Sequence, residues 1–213
     1  MKSRVVALLL LGLAIAVGAL ALWFSRCGDH DAACRASILP ADCLLRPGDI
    51  VFRLGHSVQS RVVDVADRQG HYSHVGIVVD SAGTLLVVHA VPGEPDYPGD
   101  VDRVKAELPA AFFAACRARA GAVVRTDRDS VAREAARQAW KIYQRRPLFD
   151  HDYDDSDTTR LYCTELVVLA YRRAGLRLTV SPGHSLRLPG LHVRCLFPSD
   201  VYRSPCCREV CSF

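Results

Sequence analysis

The feature that most constrains this chain is an uncharged stretch of 20 residues, Val5 to Phe24, preceded by Lys2 and Arg4. As a helix rising about 1.5 Å per residue it would extend about 30 Å, the thickness of a bilayer's hydrocarbon core. A signal peptide has an apolar core of roughly 7–15 residues, and this one is longer. The stretch therefore reads as a transmembrane anchor over 1–24, with a cleavable export signal ending near Ala19-Leu20-Ala21 as the alternative. Setting those residues aside leaves 25 basic and 23 acidic side chains. So even a balance lacks the concentrated basic face that phosphate binding needs, which argues against a nucleic-acid partner. The remainder is long enough for one domain with a sizeable core.

Nine cysteines support export: Cys27, Cys34 and Cys43 follow the apolar stretch, Cys116, Cys163 and Cys195 are spread out, and Cys206, Cys207 and Cys211 lie near the carboxyl end. Clusters at both ends suggest disulfides that fasten the termini, which requires an oxidising compartment. Their pairing cannot be read from sequence, and an odd count leaves at least one thiol without an internal partner. No C-x-x-C pair is present, so the pattern does not suggest a structural zinc site. There is no Asn in the chain, so no Asn side chain can complete a catalytic site.

The expected organisation is an anchor or signal over 1–24, a Cys-containing linker over 25–44, a domain over 45–205 and a Cys-rich tail over 206–213. Within the domain, Pro47-Gly48 marks a turn before a strand ending near Arg53. Ser57 caps a short helix to Asp67, with Val58, Val62 and Val65 on one face. His74 to Val79 and Leu85 to Ala90 flank the turn Asp80-Ser81-Ala82-Gly83, a hairpin. Pro92 to Gly99 is a loop, and Val101 to Val104 a further strand. Helices are expected over 109–118, with Pro109 in the first turn, and over 130–146, capped by Ser130. A strand lies between them at 122–126. Cys163 to Ala174 forms an apolar helix stopped by Gly175. Strands precede helices and a hairpin is present, so the fold class is α+β, an antiparallel sheet packed on helices.

Cys163 stands at the start of that helix, in LYCTELVVLAYRRAG. Unpaired N–H groups and the helix dipole at such a position favour a thiolate, so a lowered pKa is expected. His74 opens one hairpin strand and His89 lies near the end of the other. Both sit at the same end of adjacent strands, so one can act as base for the thiol and the second can orient the first. Glu94 is an alternative orienting group. Asp150, Asp152, Asp154, Asp155 and Asp157 crowd one loop, but the positions where a calcium loop needs Gly and Glu hold Asp155 and Leu161. Glu165 suits the first turn of its helix as a structural carboxylate, and His56 and His71 read as surface residues.

The order PGDIVFR, SHVGIV, VVHAVP and YCTELV, closing with FPSDVYRSP, resembles the YiiX/YebB-like cysteine hydrolases, the circularly permuted branch of the NlpC family with a papain-like fold. The resemblance covers about Leu45 to Pro205. It implies Cys163 as nucleophile, His74 as general base and His89 as the third polar residue, with no cofactor and no metal. The Cys163 N–H would serve the oxyanion, helped by Tyr72 or Tyr162. The implied activity is a hydrolase, outside the cytoplasm and held at the inner membrane by one span, or secreted if that span is cleaved. Its substrate would be an amide such as a wall peptide, or the acyl group of a lipid. A non-catalytic, disulfide-braced binding module is the competing class, and it requires Cys163 in a disulfide.

Overall fold

The computed structural model describes residues 34–67, 70–153, 158–179, 183–188 and 191–213. The expected anchor over 1–24 and Cys27 lie outside the described residues. Among those described, no helix is long and apolar enough to cross a membrane.

In chain order the elements are β1 (Ile50–Gly55), α1 (Val58–Ala66), β2 (His74–Ser81), β3 (Thr84–Ala90), β4 (Val104–Glu107), α2 (Pro109–Phe112), β5 (Ala118–Thr126), α3 (Asp129–Gln144), β6 (Leu148–Phe149), β7 (Arg160–Leu161), α4 (Cys163–Arg173), β8 (His184–Leu188), β9 (Leu191–Cys195), α5 (Pro198–Tyr202) and β10 (Cys207–Ser212). Six strands make one antiparallel sheet in the order β10-β5-β1-β2-β3-β4. The β2–β3 turn is tighter than the four residues expected, since Ser81 pairs with Thr84. Ala82 (φ 53°) and Gly83 (φ 84°) both take the left-handed conformation that a two-residue hairpin of this hand requires.

Alternation along the strands gives the sheet two different faces. One carries Ile50, Phe52, Val75, Ile77, Val88 and Val124, and packs against α3 and α4 in the larger core. α3 buries Ala132, Ala135, Ala136 and Ala139. These small side chains let it approach closely: a Cβ on Gly48 would sit 2.4 Å from the Ala132 carbonyl oxygen. The other face carries Val51, Val78, Val87 and Val123 under Phe112 and Phe113.

The described residues at each end, 36–43 and 210–213, pack on this second face, where a linker over 25–44 and a tail over 206–213 are expected. Ala115 N donates to Ala36 O and Ile38 N to Phe113 O, and Ile38 and Leu39 pack on the second cluster. Residues 207–212 form β10, which pairs with β5 along its length. Disulfides Cys34–Cys116 and Cys43–Cys211 fasten both ends, as the clustered cysteines suggest.

Three expected elements shift. The strand placed at 101–104 is Val104–Glu107. The helix expected over 109–118 stops after one turn, because Cys116 is tied to Cys34 and the chain enters β5 at Ala118. α3 begins at Asp129, so Ser130 lies inside it and is not its cap. α1 keeps its expected cap, Ser57 accepting from Ser60 N at 3.1 Å. Its valine face is not covered, however: Val62 is 59% and Val65 78% exposed.

Candidate active site

The polar residues of the second face assemble from three adjacent strands. Gly76 lies opposite His89, and His74 is displaced from it by one residue pair along β2. The two rings meet diagonally, His74 Nε2 to His89 Nδ1 at 2.8 Å. Beyond His89, β4 places Lys105 opposite it and Glu107 two residues on. Glu107 Oε1 is 3.1 Å from His89 Nε2. Among the described residues neither atom has any other hydrogen-bond partner.

The row fixes the proton positions. A carboxylate accepts only, so His89 carries its proton on Nε2 and offers the Nδ1 lone pair to the Nε2–H of His74. His74 Nδ1 is left as the basic nitrogen. His74 is 5% exposed and His89 fully buried. Burial, then the charge of Arg53, then His89 and Lys105, hold the His74 pKa well below 6.5. Burial also lowers that of His89, opposed by the hydrogen bond and charge of Glu107. Burial acts to raise the Glu107 pKa, yet His89, Lys105 and Arg117 together hold it well below the usual carboxylate range. Arg117 Nη1 donates to Glu107 Oε2 at 2.8 Å, and Lys105 Nζ lies 3.6 Å from it.

Glu94 does not orient His74. Its carboxylate is paired with Arg53 and lies 3.5 Å from Arg117. Arg53 itself donates to Phe112 O at 2.9 Å and stacks over the Phe112 ring. That ring also packs edge-on against His89 and tilted against His74, clamping both imidazoles.

Cys163 comes from the opposite face, where α4 packs through Leu166, Val167 and Ala170. The β2–β3 ladder ends at Gly76–His89. Val78 N–H donates to Asp49 on the β1 side, so by alternation the Val75 N–H points toward β3, beyond the last rung. It donates to the Cys163 sulfur instead. The thiol thus lies against the His74–Val75 peptide, in the gap where the two strands part, and there the helix side meets the histidine side.

Burial raises the Cys163 pKa above the ordinary thiol value, partly offset by hydrogen bonds from Thr164 and from the Val75, Thr164 and Cys163 N–H groups. This corrects the lowered value expected from the helix start: donors are present, but loss of water outweighs them. Among the described residues no hydrogen bond joins the sulfur to an imidazole; its side-chain partner is Thr164 Oγ1 at 3.8 Å. Cys163 is a free thiol, as are Cys195, Cys206 and Cys207.

His74 and Cys163 line one open cleft, with walls from α1, β9, α5 and the segment around Phe149. Tyr162 is in that lining; its hydroxyl accepts from Leu196 N at 3.0 Å. Tyr72 is not: it packs between Phe52 and Tyr202, so it is no oxyanion donor. Of the aspartate loop, 154–157 lie outside the described residues. His56 and His71 are exposed.

No protein-family model matches the sequence, and no curated protein matches it. Among solved structures, the fold is similar to that of the metalloprotein YiiX of Escherichia coli O157:H7, a DUF1105 protein. The TM-score is 0.60 at 21% identity, covering 79% of this chain and 97% of that one. The chain therefore has a YiiX-like fold.

Proposed function

We propose that the chain is a cysteine hydrolase of the circularly permuted, NlpC-type papain-like kind, acting through a thiol acyl-enzyme outside the cytoplasm and held at the membrane by residues 1–24. One observation carries the reading: a free thiol at the start of α4 shares a cleft with a histidine whose proton is fixed by a second histidine and a carboxylate. Cys163 is the nucleophile, His74 the general base, and His89 the positioning residue, itself set by Glu107.

The electrostatics favour a neutral pair at rest, thiol and imidazole, over a preformed ion pair. As the sulfur attacks a carbonyl carbon, its proton passes to His74 Nδ1. The imidazolium formed is stabilised through His89 by the Glu107 charge, and gives the proton to the leaving group. The N–H groups of Cys163 and Val75, both already directed at the sulfur, stand beside the place where the oxyanion develops. Water then attacks the thioester by the reverse proton path.

YiiX is described as a metalloprotein, but the donor set here does not fit an ion. His74 Nε2 and His89 Nδ1 bind each other, and among the described residues no three His, Cys, Asp or Glu side chains converge on one point. No step is routed through a metal. The non-catalytic alternative needs a disulfide at Cys163, which is a free thiol.

The test is acylation followed by intact mass. An activated short-chain ester should add one acyl group to the wild-type chain and none to Cys163→Ala, with His74→Ala strongly slowed. Equal acylation of wild type and Cys163→Ala would remove the nucleophile.

A further inference from the structure

Two free thiols share the cleft. Cys163 and Cys195 are both in its lining, whereas Cys206 and Cys207 are not. Their chain neighbours join them. The hydroxyl of Tyr162, just before Cys163, accepts from the N–H of Leu196, just after Cys195, at 3.0 Å. Tyr162 is buried, and this bond ties the start of α4 to the end of β9. Tyr153 packs on the Tyr162 ring at 5.3 Å between centroids and lines the same cleft. Burial, then Cys163 and Cys195, push its hydroxyl up to about 12, so both sulfurs lie close to one ring.

The proposed hydrolysis uses one of these thiols and leaves the other without a role. The two are not equivalent. The N–H groups of Val75, Thr164 and Cys163 are directed at the Cys163 sulfur and favour its thiolate. Cys195 is held protonated: burial, then Asp200 and Cys163, push it up to about 11. Cys163 is thus the sulfur that meets an electrophile first. The chain also carries the disulfides Cys34–Cys116 and Cys43–Cys211, so it matures where thiols are oxidised. A nucleophilic thiol in that setting meets peroxides, and a sulfenic acid left alone proceeds to sulfinic acid, which thiols do not reverse.

The fold leaves room for the two sulfurs to join. Among the described residues β9 pairs with β8 alone, in a two-stranded sheet apart from the six-stranded one. A disulfide needs Cα atoms within about 7 Å. Any closing movement falls on this hairpin and leaves the histidine row in place.

Resting on the assignment of Cys163 as nucleophile, we propose that Cys195 is its resolving partner: hydrogen peroxide oxidises Cys163, and Cys195 then closes a disulfide that stops hydrolysis reversibly. In the first step the S–O bond forms as the O–O bond breaks. The sulfur gives up two electrons, and the second oxygen leaves as water with the thiol proton, carried by His74. In the second step the Cys195 sulfur attacks the Cys163 sulfenic acid. The S–S bond forms, the S–O bond breaks, and the oxygen leaves as water with the Cys195 proton. A dithiol reverses the disulfide and is itself oxidised.

The full chain is treated with excess hydrogen peroxide, digested without reduction and mapped by mass spectrometry. Acylation of Cys163 by the activated ester is read before peroxide, after it, and after dithiothreitol. The wild type should give a Cys163–Cys195 linked peptide, lose acylation and regain it with dithiothreitol. Cys195→Ser and Cys195→Ala should instead carry Cys163 as sulfinic acid and regain about tenfold less of their own starting rate. Sulfinic acid at Cys163 of the wild type, its pairing with any other cysteine, or full recovery in both variants would overturn the proposal. Acylation without the linked peptide would remove the thiol pair and leave the hydrolase standing. A linked peptide in a chain that no ester acylates would remove the hydrolase and leave the redox pair.

Discussion

Glu107→Ala tests whether the buried polar row is a connected unit. Glu107 touches His89 at 3.1 Å, Arg117 at 2.8 Å and Lys105 at 3.6 Å. Removing it does not orphan the two cations equally with the histidine. Lys105 keeps Asp96 at 2.9 Å and the Glu94 carbonyl at 3.1 Å, and Arg117 keeps Glu94 at 3.5 Å. The group left without an acceptor is the fully buried His89 Nε2–H. The cost is then one charged contact plus one unsatisfied buried donor, about 3 kcal/mol. For a domain of this size that lowers Tm by roughly 6–12 °C.

The second consequence is specific to the row. Without an acceptor beyond it, His89 is free to move its proton to Nδ1, where it faces the His74 Nε2–H. The conflict is relieved only if His74 moves its own proton to Nδ1, which removes the lone pair that the proposed mechanism assigns to the thiol. Histidine 15N NMR should therefore show both rings protonated at Nε2 in the wild type and mixed tautomers in Glu107→Ala. Glu107→Gln keeps an acceptor oxygen, so it should restore the tautomers while recovering only part of the stability. An unchanged tautomer pattern in Glu107→Ala, with a Tm shift under about 2 °C, would show that Glu107 does not set the row.

Folding stability should fall with acid in two stages. His74 and His89 have depressed folded pKa values, so their contribution is complete above about pH 6.5 and declines below it; Glu107, also depressed, adds its loss below about pH 4.5. Stability measured by denaturant titration that stays flat from pH 6.5 to 5 would contradict the buried neutral pair. Alkylation of Cys163 by iodoacetamide should accelerate with pH throughout the neutral range, whereas a plateau below pH 7 would indicate a resting ion pair. Asp49→Ala should destabilise by about 3–5 kcal/mol in urea, because Asp49 binds Arg125 through both oxygens at 2.6 and 2.8 Å and both side chains are buried; a loss below about 1 kcal/mol would refute that.

How much of this was legible in the sequence depended on whether local pattern or distant contact decided the element. The Ser57 cap, the β2–β3 hairpin and the helix from Cys163 are local signals; the hairpin put His74 beside His89, whereas only the family resemblance joined Cys163 to them. Glu107 was missed because Lys105 and Glu107 alternate with Val104 and Ala106, a pattern that reads as a solvated edge strand. Only the tertiary cover from Phe112 and the loop bearing Glu94 buries that polar side. The Cys163 environment was misjudged for a related reason. A helix start promises N–H donors, but the burial that outweighs them comes from cleft walls on α1, β9 and α5. The termini, with no periodicity of their own, are held by disulfides whose pairing no pattern encodes.

The early end of the β2–β3 ladder has a consequence for how such a site can be gained or lost. One more rung, Val75 to Ala90, would occupy the amide that now holds the sulfur and close the seam through which helix and sheet chemistry communicate. In the proposed mechanism, reactivity is thus a property of an unfinished sheet. A single added backbone pairing, with every side chain retained, would leave a well-folded protein whose thiol and histidine sit on opposite sides of a wall.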